Sequence, residues 1–116
     1  MPIRILIVED EPLIAMMLED FLEESGFQTA GVSDSVESAL AVAAEGGVDA
    51  AILDVNLSGG EKSWPVARAL AERDIPFVFA TGGGDGSIDG EFSDRPQIAK
   101  PYSFDAVKGA IAALVG

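Results

Sequence analysis

Three consecutive acids, Glu9-Asp10-Glu11, close the first apolar run of the chain, Ile3-Arg4-Ile5-Leu6-Ile7-Val8. The run is rich in β-branched side chains and reads as a buried strand. Carboxylates at the tip of such a strand repel one another. At an effective dielectric near 20, two unit charges about 5 Å apart cost roughly 3 kcal/mol. A divalent cation would offset that repulsion. Other polar residues also follow apolar runs: Asp54 after Asp49 to Leu53, Thr81 after Pro76 to Ala80, and Lys100 after Gln97-Ile98-Ala99. Together they form a kit for phosphoryl transfer onto a carboxylate. Asp54 would be the nucleophile. Mg²⁺, held by Asp10, Asp54 and a carbonyl oxygen of the following turn, would neutralise phosphoryl charge. The Lys100 ammonium and the Thr81 hydroxyl would contact the remaining phosphoryl oxygens, leaving positioning and charge stabilisation as the protein's main work.

Composition narrows the alternatives. The chain has 116 residues, 48% of them hydrophobic, which suits one domain spanning residues 1–116 around one core. It has no cysteine and no histidine. Disulfides, thiolate nucleophiles, a Ser-His-Asp triad and His-ligated metals are therefore excluded, and any metal must be a hard cation held by oxygen. Twenty acids against seven bases give a net charge of −13, which argues against direct binding to nucleic acid or to an anionic membrane. The apolar runs are too short to span a bilayer, and the N-terminus lacks a signal-like pattern. A cytoplasmic location is the expectation.

The elements that must position these residues alternate in type. After the first strand, Pro12 fits a helix's first turn, where Glu11 is also expected. Leu13, Ile14, Met17, Leu18, Phe21 and Leu22 recur at helical spacing, and Gly26 is a C-terminal stop. Phe27 to Val32 is strand-like. Asp34 with Glu37 resembles a capping box ahead of a helix striped by Val36, Ala39, Leu40 and Ala43, which ends at Gly46-Gly47. Asp49 to Leu53 is the third strand. A turn over Asn56 to Ser63 leads to a helix opened by Pro65. Pro76 to Ala80 is the fourth strand. Five glycines between Gly82 and Gly90 predict a short or poorly ordered helix there. Gln97-Ile98-Ala99 is the fifth strand. Ser103 caps a last helix carrying Phe104, Val107, Ile111, Leu114 and Val115 on one face.

Five β–α units in succession imply a doubly wound α/β fold, a flavodoxin-like five-stranded parallel sheet of order 2-1-3-4-5 with helices on both faces. Asp10 and Asp54 then end neighbouring strands roughly 5 Å apart, and Lys100 lies about 10 Å from Asp54 across the sheet, within reach of its four-carbon stem.

Val8-Glu9-Asp10-Glu11-Pro12, Asp54 after Ala51-Ile52-Leu53, Thr81-Gly82 and Lys100-Pro101-Tyr102 resemble, in order and over the whole chain, the motifs of a response-regulator receiver domain. This is the CheY-like phosphoacceptor of two-component signalling. The resemblance implies that Glu9 and Asp10 form the acidic pair, that Asn56 gives a backbone carbonyl to Mg²⁺, and that the Lys100–Pro101 bond is cis. Phe79-Ala80-Thr81-Gly82 further resembles the Phe-Ala-Thr-Gly (FATGUY) subfamily, although Gly84 stands where its tyrosine is usual. Receivers usually carry a switch aromatic three residues before the lysine. This chain has Gln97 there, so the Gly82 to Gly90 segment is expected to be the mobile element that phosphorylation orders or shifts.

The implied function is a stand-alone response regulator. It would accept a phosphoryl group from a sensor histidine kinase onto Asp54, then signal through a downstream protein or phosphotransferase, or act as a phosphate sink. Two other readings stand beside it. One is a pseudo-receiver that binds partners unphosphorylated, whose usual mark is loss of the aspartate or lysine. The other is a Mg²⁺-dependent phosphohydrolase resembling the haloacid-dehalogenase class, which typically carries Asp-x-Asp after its first strand. Trp64 reads as packing or an exposed contact, and Tyr102 as a packing residue at the entry to the last helix.

Overall fold

In the computed structural model, residues 3–55, 57, 61–81, 92, 95–99 and 103–115 are described. The apolar runs form β1 (Arg4–Val8), β2 (Gln28–Ser33), β3 (Ala50–Asp54), β4 (Phe77–Thr81) and β5 (Gln97–Ala99). Between and after them lie α1 (Pro12–Glu24), α2 (Val36–Glu45), α3 (Trp64–Glu72) and α4 (Phe104–Val115). The strands make one parallel sheet of order β2-β1-β3-β4-β5, the doubly wound order expected from the alternation of elements. The short helix expected within residues 82–90 lies outside the described residues.

Both faces of the sheet are covered, which explains why β1 and β3 read as continuous apolar runs rather than alternating ones. Leu6, Val8, Leu53 and Val55 point to one side, against Ala39 and Ala43 of α2 and Val66, Ala67 and Leu70 of α3. Ile5, Ile7, Ala50 and Ile52 point to the other, against Leu18 and Leu22 of α1 and Val107 and Ile111 of α4. Phe77 and Phe79 of β4 join the α2–α3 side with Phe92 and the half-buried Trp64.

Helix boundaries show where local chemistry decides and where it yields. α1 ends in a Schellman motif: the Phe27 amide donates to the Leu22 carbonyl (2.9 Å), and the Gly26 amide to the Glu23 carbonyl (3.1 Å). This requires Gly26 at φ +88°. A Cβ added there would meet nothing within 4 Å, so backbone strain alone opposes substitution. Gly26→Ala is expected to lower stability by about 1 kcal/mol, read as a reduced urea midpoint with an unchanged slope.

Two expectations at helix starts are corrected. Glu11 is not in the first turn of α1; it is the extended N-cap residue before it, at φ −95° and ψ 114°. The cap of α2 is not an Asp34–Glu37 box. Ser35 is the N-cap, its Oγ accepting from the Ser38 amide at 3.2 Å. The α2 start also takes a carboxylate from far along the chain, as Oε1 of Glu61 accepts from the Val36 amide at 2.9 Å. At the last helix the expectation holds: Oγ of Ser103 accepts from the Ala106 amide at 3.1 Å.

Candidate functional site at the carboxyl ends of β1 and β3

The strand register brings the acids together. Val8 pairs with Leu53, so the residues that follow each emerge side by side at the same end of the sheet. Asp54 is the final residue of β3 and 3% exposed. Glu9 lies one residue beyond β1 and is 2% exposed. Its amide donates to the Ser33 carbonyl at 2.9 Å, which extends the β1–β2 ladder by one rung. Its Oε2 accepts from the Glu11 amide at 3.3 Å, turning the side chain back along the start of α1. Asp10 is half-buried. One carboxylate oxygen from each of Glu9, Asp10 and Asp54 lies within 4.8 Å of the others.

These donors fit a hard divalent cation. They are carboxylate oxygens only, two are shielded from water, and the third leaves an open side toward solvent. Gathered this closely, the three carboxylates repel one another, and a divalent cation would offset that repulsion.

Thr81 is the last residue of β4 and half-buried. Asp54 pairs with Ala80, and the Val55 amide donates to the Ala80 carbonyl at 3.3 Å. Thr81 thus stands one residue beyond the level of Asp54 on the adjacent strand. It pairs in turn with Ala99 of β5, the residue before Lys100. Asn56, Lys100, Pro101, Tyr102 and the 82–90 segment lie outside the described residues. Gln97 opens β5 exposed and paired with Phe79, so no aromatic side chain occupies that position. Sequence reasoning missed the contribution of β2 and α2. The Ser33 carbonyl and the Glu61 carboxylate carry no local signal, because their partners lie 24 and 25 residues away.

The acidic trio stands at the β1/β3 switch point, where a doubly wound sheet of this order binds its ligands. The chain belongs to the response regulator receiver domain family, whose family model matches residues 5–94. The solution structure of SdrG from Sphingomonas melonis Fr1 is 63% identical, with a TM-score of 0.89 covering 99% of this chain and 98% of that one. The BeF3-activated conformation of SdrG is 65% identical, with a TM-score of 0.83 over 97% and 96% of the two chains. The phyllosphere-induced regulator PhyR of Methylorubrum extorquens is 34% identical over 118 residues, which cover 97% of this chain and 43% of PhyR. The chain spans less than half the length of PhyR and of the next curated relative it matches. Among the described residues, no helix is long and apolar enough to cross a membrane.

Proposed function

We propose that this chain is a phosphoacceptor switch of a two-component system. Its partners would be a sensor histidine kinase upstream and a downstream protein or phosphotransferase. The single observation that carries the reading is the convergence of Glu9, Asp10 and Asp54 within 4.8 Å, two of them buried, at the strand ends. In this reading an oxygen of Asp54 attacks the phosphorus of a phosphoimidazole. The P–N bond breaks as the P–O bond forms, and the imidazole leaves with the bond's electron pair. Mg²⁺, when bound by Glu9, Asp10, Asp54 and the Asn56 carbonyl, neutralises charge on the phosphoryl oxygens. Thr81 and Lys100 supply the hydroxyl and ammonium that hold the remaining oxygens, and their movement toward the phosphoryl group passes the signal to β4 and β5. The chain promotes only its own phosphorylation and dephosphorylation, so it is not an enzyme acting on a separate substrate.

Several observations support this reading. SdrG, a relative with well over half its residues identical, adopts a BeF3-activated conformation. The Phe79-Ala80-Thr81-Gly82 string supports placement in the FATGUY subfamily. The net charge of −13 disfavours nucleic acid as a direct partner.

The test is intact mass after incubation with Mg²⁺ and a small phosphodonor. A single phosphoryl adduct that is absent under EDTA is expected; no adduct would leave a pseudo-receiver, and turnover of phosphate esters without an adduct would leave a hydrolase. Metal uptake is tested separately by thermal unfolding. Mg²⁺ at about 100 times its dissociation constant is expected to add roughly 2.7 kcal/mol of stability. Asp10→Asn is expected to be more stable than the wild type without metal and to lose that increment. A melting curve that does not respond to Mg²⁺ in the wild type counts against the metal site.

A further inference from the structure

We propose that Glu61 is a positioning residue for the acidic trio, acting through the amino end of α2 to hold the Glu9 and Asp54 flanks in register. The inference rests on the phosphoacceptor reading and names a part of the site that reading does not use.

The observation is a series of hydrogen bonds linked through short stretches of backbone. On the β3 side, the Leu57 amide donates to the Glu61 carbonyl at 2.7 Å and the Ser63 amide to the Val55 carbonyl at 3.2 Å. The Leu57 side chain is buried at 4% exposure. The connection that follows Asp54 is therefore pinned at both its inner and outer turns. Glu61 then reaches out of it: Oε1 accepts from the Val36 amide at 2.9 Å. Val36 is the first residue of α2, and its amide has no partner within the helix. A carboxylate is also the favoured charge at that end of the helix dipole. On the other side, Oγ of Ser38 in α2 donates to Oγ of Ser33 at 3.2 Å. The Ser33 carbonyl in turn accepts from the Glu9 amide at 2.9 Å. The path runs from the Glu9 amide, through Ser33, Ser38 and the start of α2, to Leu57, three residues after Asp54.

Ligand groups that must meet one small cation are held by the layer behind them, and loosening that layer lowers metal affinity without removing a ligand. The plain alternative is that Glu61 merely caps α2. The last helix provides a control for the loss of a cap as such, because Ser103 caps α4 at the Ala106 amide and shares no residue with this path.

The experiment is a calorimetric Mg²⁺ titration of the wild type, Glu61→Ala, Glu61→Gln and Ser103→Ala. Glu61→Ala is expected to weaken Mg²⁺ binding about fivefold, the equivalent of one helix cap. Glu61→Gln keeps an acceptor at the same reach and is expected within about twofold of the wild type, as is Ser103→Ala. Equal losses in Glu61→Ala and Ser103→Ala, or no loss in Glu61→Ala, overturn the inference. An arm independent of metal uses amide chemical shifts, where Glu61→Ala must move both the Leu57 and the Glu9 resonances. An unmoved Glu9 amide sinks the brace. A wild type that takes up no Mg²⁺ sinks the phosphoacceptor reading instead, and the amide shifts still decide the brace.

Discussion

Asp54→Asn is expected to abolish the phosphoryl adduct completely while leaving the fold intact. Asparagine matches aspartate in shape, so the last rung of β3 and the pairing of residue 54 with Ala80 are preserved. What it removes is the nucleophile, since a neutral amide oxygen does not attack phosphorus as a carboxylate does. It also removes one of the three charges gathered within 4.8 Å. The repulsion so relieved is on the order of a few kcal/mol at an intermediate dielectric. The variant should therefore unfold at a temperature equal to or above that of the metal-free wild type. Intact mass under the labelling conditions, with a melting curve on the same sample, reads both effects. An adduct that survives in Asp54→Asn would move the acceptor to Glu9 or Asp10. A variant that loses the adduct only because it unfolds would leave the assignment without support.

The largest expected loss of stability lies beneath β4. Phe79 is fully buried, and its ring meets Trp64 edge-on at 5.5 Å, Phe77 edge-on at 5.4 Å and Phe92 at 6.0 Å. Edge-to-face pairs contribute beyond their buried area. Truncation to alanine loses the transfer energy of the ring and leaves a cavity that the flanking strands cannot close. Phe79→Ala is expected to lower stability by about 3–5 kcal/mol, a large share of the roughly 5–15 kcal/mol typical of a domain. Urea unfolding measures it. Phe104 is the contrast: it is half-buried, with a single ring neighbour among the described residues, Phe21, at 5.7 Å, and its truncation should cost far less. A Phe79→Ala loss below about 2 kcal/mol would mean that the cluster collapses around the missing ring.

The sheet order was legible because strand and helix periods alternate cleanly and because parallel strands buried on both faces leave long apolar runs. Ile5 to Val8 and Ala50 to Leu53 are of that kind, fully or almost fully buried. The convergence of Asp10 and Asp54 followed from that order, since the residues ending β1 and β3 must share an edge of the sheet, whereas Glu9 joined them only through the family resemblance. Helix starts were less legible. A capping box at Asp34 and Glu37 satisfies the local rule, yet Ser35 takes the cap and Glu61 supplies the second acceptor across 25 residues. Tertiary placement overrode local pattern there. Trp64 was readable only as packing or an exposed contact. Its partners come from a different strand and from residue 92, and no periodicity links them. Lys100 and Asn56 lie outside the described residues, and the part given to Asn56 is what the family resemblance implies.

The chain has one tryptophan, and its position has a practical consequence. Trp64 follows Ser63, whose amide is bonded to Val55 beside Asp54, and its indole rests on Phe79, two residues before Thr81, and stacks on Phe92 at 6.1 Å. The sole strong ultraviolet emitter thus packs on the strand that ends at Thr81 and follows the residue bonded to Val55. Its quantum yield and emission wavelength provide a built-in optical gauge of the molecule's state, readable on native protein without any attached dye.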